Sequence, residues 1–255
     1  NNIKRITVTA RSNARSTSLK NSFPHLIKVI EDDANLQVVV QDSDIIFLCV
    51  LPDQVSKVLK RVSFDPQRQV LISLVSTCNI DSLMELSKLP HNRVVKMICL
   101  PNVSRSQGLC LLTPPINSIS GSNTLKDLFE ALGGYIECKN EGLLQTMMVI
   151  TGLMGPMYGI LKTNADWLVE QGVPTENAAK FVLQIYKDML QDATATGATF
   201  DDLIQEQTPG GVNEQALENL KTLGLVESYR ATMNAMLSRI AGLSDGWIRN
   251  PADIM

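Results

Sequence analysis

The sequence has no long apolar run and no concentration of charge of either sign. Its longest apolar stretches, 45–51 and 70–75, are far shorter than the roughly 20 residues that a membrane-spanning helix needs. The formal net charge is −3, and lysine and arginine are scattered without a basic tract. This pattern argues against nucleic-acid binding. We therefore expect a protein that binds neither a membrane nor a nucleic acid.

Metal-binding and nucleophile motifs are also missing. The five cysteines form no CxxC pair, and the only two histidines, His25 and His91, lie next to prolines in predicted loops. Without paired cysteine and histidine ligands, no metal site is expected, and no cysteine–histidine catalytic pair is indicated. An odd number of cysteines, mostly in apolar runs, is typical of reduced thiols. We expect a cytoplasmic location.

The fingerprint GxGxxG, which holds the pyrophosphate in dinucleotide-binding folds, does not occur anywhere in the sequence. Two interpretations of this absence remain open. Either the first strand–helix unit of such a fold is missing from this chain, or no dinucleotide binds.

The residues that are present divide the chain into two regions. In the first, β-branched runs alternate with helical patterns, which predicts a parallel sheet covered on both faces. The predicted strands are 6–9, 45–50, 70–75 and 94–98, with helices at 54–61 and 80–88. From Glu141 the pattern is helical, with helices predicted at 143–169, 175–195, 200–206, 213–223 and 226–242. We predict an α/β domain over 1–141 and an all-α domain over 142–255.

The turn Gln207–Asn213, with the sequence Q-T-P-G-G-V-N, leads directly into a predicted helix. Proline and two glycines form the turn, and the first N–H groups of a helix attract anions. The pattern is consistent with a site for a substrate carboxylate or phosphate. A plain helix start with a threonine cap is the alternative that these residues leave open.

A second candidate site follows the first predicted strand. Arg11, Ser12 and Arg15 lie in the segment after this strand. In a doubly wound fold this position meets the adenosine ribose, where arginine and serine favour a 2′-phosphate over a bare hydroxyl. The alternative is that the two arginines are solvated surface charges.

These two sites and several further segments, in their order along the chain, resemble the pyrroline-5-carboxylate reductase family over essentially the whole chain. Asp44–Pro52 (D-I-I-F-L-C-V-L-P) resembles the family's D-V-x-x-L-A-V-K-P, and Arg11-Ser12 resembles its NADP signature. The other matching segments are 72–76 against I-S-x-A-A, 93–96 against R-V-V-R, 155–158 against the end of S-G-S-G-P-A-Y, and 207–217 against S-P-G-G-T-T. The resemblance implies a Rossmann-like doubly wound sheet, lacking its first Gly-rich unit, followed by a helical dimerisation domain.

The resemblance also implies which residues bind which molecule. NADPH is the expected cofactor, with NADH as the alternative. The cofactor would contact Arg11, Ser12, Arg15, Asn35, Cys49, Val50, Leu51, Pro52, Leu74, Val75 and Ser76, mostly through backbone groups. The substrate carboxylate would be held by Thr208 and by the N–H groups of Gly211, Val212 and Asn213. Asn213 is the candidate catalytic residue.

Two departures from the family pattern concern the substrate. Asn213 stands where the family has a hydroxyl residue, and Leu51 replaces the lysine of A-V-K-P. Asparagine can still donate and accept hydrogen bonds, so it is able to orient an imine nitrogen.

Three hypotheses follow: an NADPH-dependent reductase that converts 1-pyrroline-5-carboxylate to proline, a related oxidoreductase for another small carboxylate or carbonyl substrate, and a non-catalytic binding or assembly protein.

Apolar stripes in the second region favour self-association. One stripe includes Phe181, Ile185 and Met189, and another includes Met233 and Leu237. Together they exceed what one small helical bundle readily buries, although an intrachain core is the alternative. In the resembled family the helical domains form homodimers. We expect a homodimer through the C-terminal helices.

Overall fold

The computed structural model describes residues 3–9, 12–30 and 35–249. The chain divides into two compact units, the first ending at Met147 and the second beginning at Met148. Among the described residues, the first unit contains all of the strands, and the second contains helices.

The first unit opens with a small parallel sheet. Strands β1 (Ile6–Thr9) and β2 (Ile27–Ile30) pair in parallel, with Ile6 opposite Ile27. Helix α1 (Asn13–Ser22) connects them, and the short helix α2 (Leu36–Gln41) follows. This strand–helix–strand unit is the smallest element of a parallel fold.

The larger sheet has five strands in the order β3-β4-β5-β6-β7. They are β3 (Ile45–Leu48), β4 (Val70–Ser73), β5 (Val94–Cys99), β6 (Cys110–Thr113) and β7 (Tyr135–Glu137). Only the β5–β6 pair is antiparallel. Helices α3 (Val55–Leu59), α4 (Ile80–Ser87) and α5 (Ser122–Leu132) lie between the strands in the chain.

Each face of this sheet is covered by its own hydrophobic core. Ile72 and Val95 belong to a cluster with Phe129 of α5, whereas the adjacent residues Leu71 and Val94 belong to a cluster with Leu83 of α4. Successive side chains of a strand point to opposite faces, so neighbouring residues enter different cores. Burial on both faces explains the continuous apolar runs and confirms the predicted Rossmann-like α/β architecture.

The two sheets leave a gap between β1 and β3 in the described part of the chain. Strands β1 and β3 each have one side without a strand partner there. A doubly wound dinucleotide-binding sheet has the order 3-2-1-4-5-6. In that order β2, β1, β3 and β4 correspond to positions three, two, four and five. The strand that would carry the Gly-rich turn is therefore the one without a counterpart among these residues.

The second unit consists of helices, with α6 (Glu141–Thr151) leading into it. The others are α7 (Met154–Glu170), α8 (Thr175–Thr196), α9 (Phe200–Gln205), α10 (Val212–Thr222) and α11 (Leu225–Ile240). The single helix predicted over 143–169 is wrong, since Gly152 and Leu153 form a turn whose N–H groups donate to the carbonyls three residues earlier. A side chain at Gly152 would lie 2.3 Å from the Met236 methyl group. The Met236 methyl group is the flexible end of its side chain, so it would have to shift to admit a larger residue at this position.

The helices of the second unit expose much apolar surface. Tyr158 and Trp167 of α7 are 63% and 58% exposed, and several apolar residues of α8 are exposed to a similar degree. The segment Glu141–Glu170, formed by α6 and α7, contains an 18-residue window with a mean hydropathy of 1.3, so it is long and apolar enough by composition to cross a membrane. Length and composition alone are weak evidence for a span, since core helices of globular proteins meet the same criteria.

Candidate functional site

The loops after β3 and β4 lie side by side at the carboxyl ends of these strands. The N–H of Leu74 donates to the carbonyl of Leu48 at 3.0 Å, which joins the ends of the two strands. Ligands of doubly wound folds bind at the carboxyl ends of the strands. The loop after β4 is further ordered by a hydrogen bond from the Val75 N–H to the Ser73 hydroxyl at 3.2 Å.

The two predicted cofactor segments, 49–52 and 74–76, both lie at the carboxyl ends of these strands. Cys49 and Leu51 are exposed, Val50 is half-buried, and Pro52 starts a short 3-10 turn. Val75 is buried, whereas Leu74 and Ser76 are half-buried. The structure thus brings the two segments together, although they are more than 20 residues apart in the chain.

The end of β1 provides a second part of the candidate site. Ser12 is the N-cap residue of α1, its side chain makes no capping hydrogen bond, and the first turn of the helix contains no acidic residue. Arg15 lies exposed in this first turn. Helix-start N–H groups with an adjacent guanidinium are suited to a phosphate group. Arg11 lies outside the described residues.

Asn35 has a different environment from the loops after β3 and β4. It lies at the N-cap of α2 without a side-chain cap bond. It lines a cavity of about 180 Å³ together with Thr7, Lys28 and Asp42, among others. Asn35 therefore lies beside the small sheet, and its contact with a cofactor stays a prediction.

The environment of the thiols near the carboxyl ends of the strands disfavours their thiolate form. Although Cys49 is exposed as a residue, desolvation of its sulfur by surrounding atoms and, to a smaller extent, the nearby Cys99 raise its pKa, and burial raises the pKa of Cys99. Burial and Cys99 raise the pKa of Cys110, which pairs with Cys99 across the strands, to about 11. Since the thiolate is the nucleophile, the raised pKa values argue against a nucleophilic role for these residues.

One buried ion pair was missed by the sequence analysis. Lys96, within β5, contacts Glu141 at the start of α6, and its side chain is only 1% exposed. The ammonium also donates to the Ser76 carbonyl at 2.9 Å. A lysine inside the apolar run V-V-K-M-I was the available signal, since lysine is almost never fully buried unless it is paired.

The predicted substrate turn lies directly before α10 in the second unit. Gly210 has φ +72°, a conformation that favours glycine, and a β-carbon on Gly211 would lie 2.8 Å from the Thr208 carbonyl oxygen. Gly211 is the N-cap, so Val212 and Asn213 occupy the first two helical positions. The N–H groups of these positions have no partner within a helix.

Two hydrogen bonds within this turn alter the predicted carboxylate site. The Gly211 N–H donates to the Thr208 carbonyl at 2.9 Å, so it is already engaged. The Gly210 N–H donates to the Glu214 carboxylate at 2.5 Å. The N–H groups of Val212 and Asn213 remain as candidates to bind a substrate anion. Glu214, which sequence reasoning did not single out, places a negative charge beside them.

Comparison with known proteins identifies the class. A family model described as "NADP oxidoreductase coenzyme F420-dependent" matches residues 2–77. This stretch covers β1 to β4 and the candidate cofactor segments. With the parallel sheet of the first unit, the match supports the class of NAD(P)-dependent oxidoreductases, whose cofactor is a nicotinamide dinucleotide.

Relatives in sequence narrow the class further. The pyrroline-5-carboxylate reductase of Methanosarcina acetivorans is 25% identical over 219 residues, covering 83% of this chain and 77% of that protein. The protein of the same name from Synechocystis is 23% identical over 201 residues, covering 74% of this chain and 72% of the relative.

Solved structures establish the same fold. The 1-pyrroline-5-carboxylate reductase of Streptococcus pyogenes has a TM-score of 0.77 at 18% identity, covering 94% of this chain and 90% of that one. The Plasmodium falciparum pyrroline carboxylate reductase with NADP bound has a TM-score of 0.74 at 19% identity, covering 95% and 98%. Together these findings point to the pyrroline-5-carboxylate reductase family, which confirms the resemblance seen in the sequence motifs.

Proposed function

We propose that this protein is an NADPH-dependent reductase of a small cyclic imino acid, with 1-pyrroline-5-carboxylate as substrate and proline as product. The observation that carries the proposal is the turn before α10. Its Val212 and Asn213 N–H groups lie at the positive end of an 11-residue helix, in a chain whose relatives are named for this reaction.

The proposed chemistry asks for binding and orientation more than for an acid or base. A bound reduced nicotinamide cofactor supplies the hydride, which adds to the carbon of the protonated C=N bond and leaves a neutral amine. In the proposal, Val212 and Asn213 donate backbone hydrogen bonds to the substrate carboxylate. The Asn213 side-chain amide orients the ring nitrogen, and positioning of this kind lowers the barrier by reducing the entropy that must be lost.

The preference for NADPH over NADH is also a proposal. It rests on the exposed Arg15 and on the open N-terminal end of α1 after Ser12. A 2′-phosphate would receive charge-assisted hydrogen bonds there, and these are stronger than bonds between neutral groups.

The experiment that tests the function follows NADPH oxidation in the presence of 1-pyrroline-5-carboxylate. We expect Thr208→Ala to raise KM for the imino acid about tenfold to a hundredfold, because a hydrogen bond to a charged group contributes roughly 1.5–3 kcal/mol. Thr199→Ala is the matched control, since Thr199 caps α9 in the same unit outside this turn. No oxidation by the unaltered protein overturns the proposed reaction, and an unchanged KM in Thr208→Ala overturns the role of Thr208.

A second candidate function is favoured by Glu214. Its carboxylate lies at the helix start where a substrate carboxylate would bind. Two carboxylates close to each other repel. A reductase for a small carbonyl compound or an imine without a carboxylate fits this charge better. Comparing turnover of 1-pyrroline-5-carboxylate with that of 1-pyrroline, which lacks the carboxylate, separates the two functions. Asn213→Thr should raise turnover of the carboxylate substrate only if the first function holds.

We further propose that a second copy of the chain covers the exposed apolar face of α8. Phe181, Ile185 and Met189 are 58%, 49% and 54% exposed and follow one another at four-residue spacing. Side chains at this spacing form one continuous stripe on a helix. A second copy presents an identical stripe, and such self-complementary surfaces are usual in two-fold dimers.

Light scattering coupled to gel filtration checks the dimer. We expect the unaltered chain at twice the monomer mass, and Phe181→Glu combined with Met189→Glu at the monomer mass, because two carboxylates would be buried without partners. Lys187→Glu is the control, since this exposed residue lies on the opposite side of the same helix. A monomeric unaltered chain contradicts the proposal.

A further inference from the structure

The buried pair Lys96–Glu141 has no role in the reaction proposed above, yet it lies at the cofactor edge of the first unit. Lys96 is the third residue of β5, and its ammonium group reaches both the Glu141 carboxylate and the Ser76 carbonyl. Ser76 is the last residue of the segment Leu74–Ser76, which follows β4. The pair therefore acts directly on a candidate cofactor loop.

The same pair also holds the far end of this loop. The second carboxylate oxygen of Glu141 accepts a hydrogen bond from the Ile80 N–H at 3.1 Å, and Ile80 is the first residue of α4. The residues between Ser76 and Ile80 have no regular helix or strand conformation. Lys96 and Glu141 thus connect the carbonyl at one end of the loop with the N–H at the other.

Burial of this pair is costly, which calls for a reason beyond folding. Two charges must leave water, and apolar residues of similar size are often at least as stabilising in such positions. An ion pair at the opposite end of the sheet requires less desolvation. There Arg68 binds Asp44 and the carbonyls of Gln41 and Ser43, and its side chain remains 42% exposed.

We propose that Lys96 and Glu141 are positioning residues that hold the segment Leu74–Ser76 in the conformation that binds the nicotinamide cofactor. This inference rests on the proposed function. It assigns Lys96 to the orientation of the Ser76 carbonyl and Glu141 to the orientation of both Lys96 and the start of α4. Neither side chain needs to touch the cofactor.

The test compares four variants by NADPH titration calorimetry and by steady-state kinetics. Lys96→Met removes the charge and both contacts, and Glu141→Gln keeps the size of the side chain while removing its charge. Lys96→Arg retains a cation, and Arg68→Met removes the similar arrangement at the opposite end of the sheet. Circular dichroism establishes that each variant is folded, and Glu141→Gln decides the outcome if Lys96→Met does not fold.

We expect Lys96→Met and Glu141→Gln to raise both the Kd and the KM for NADPH at least tenfold, with kcat at saturating NADPH within threefold of the unaltered protein. Lys96→Arg and Arg68→Met should keep the Kd within threefold. An unchanged Kd in the folded Glu141→Gln variant overturns the inference alone. If the unaltered chain does not bind NADPH, the proposed function and the inference both fail.

Discussion

Arg15→Ala should weaken NADPH binding about tenfold to a hundredfold and leave NADH binding within about twofold. Arg15 is exposed in the first turn of α1, directly after the end of β1. A charge-assisted hydrogen bond to the 2′-phosphate contributes roughly 1.5–3 kcal/mol, and NADH lacks that phosphate. Titration calorimetry with each cofactor measures the two dissociation constants separately.

Lys20→Ala is the matched control for this prediction. Lys20 is an exposed cation in the last turn of the same helix, so its removal changes the net charge equally without affecting the helix start. We expect little change in the binding of either cofactor. Equal losses for NADPH and NADH in Arg15→Ala would show that Arg15 does not read the 2′-phosphate. Absence of binding to the unaltered chain would favour the non-catalytic hypothesis.

Phe129→Ala should lower the free energy of unfolding of the first unit by about 3–5 kcal/mol. Phe129 lies on α5 and is completely buried, and its ring meets that of Tyr135 edge to face at 6.1 Å. Truncation removes the apolar contacts with the sheet and leaves a cavity that the surrounding strands only partly close. Urea unfolding followed by circular dichroism gives the change in stability.

An exposed phenylalanine of the same unit provides the comparison. Phe23 ends α1 and is 54% exposed, so Phe23→Ala should cost less than about 1 kcal/mol. If Phe129→Ala costs no more than Phe23→Ala, the described packing of α5 against the sheet is wrong.

Three of the four strands that the sequence predicted share one property. β3, β4 and β5 consist largely of β-branched and other apolar residues, and β4 and most of β5 are buried on both faces of the sheet. Their apolar runs are long enough to stand out from the surrounding loops. β7 has only three residues, Tyr135–Glu137, and none of them is buried. Such a strand carries no apolar run, and its pairing with β6 becomes evident only in the folded chain.

Helix α1 shows why other elements were missed. Its sequence, N-A-R-S-T-S-L-K-N-S, contains almost no apolar residue, and only Ser16 is buried. No helical periodicity can be recognised in such a segment. The helix connects two parallel strands, and such a crossover places it against the sheet. The break between α6 and α7 was missed for a related reason, since the apolar pattern continues through Gly152 and the close approach of Met236 is a tertiary contact.

The sequence by itself determined the fold class, the family resemblance and the position of the turn proposed to bind the substrate, because each depends on residues that are close together in the chain. Only the tertiary structure decided that Lys96 meets Glu141, 45 residues away, and that both hold the loop after β4. It also showed that Glu214 already binds the turn beside Val212 and Asn213. Local patterns record backbone preference and burial, whereas the partner of a charged or polar group depends on which strands and helices become neighbours when the chain folds.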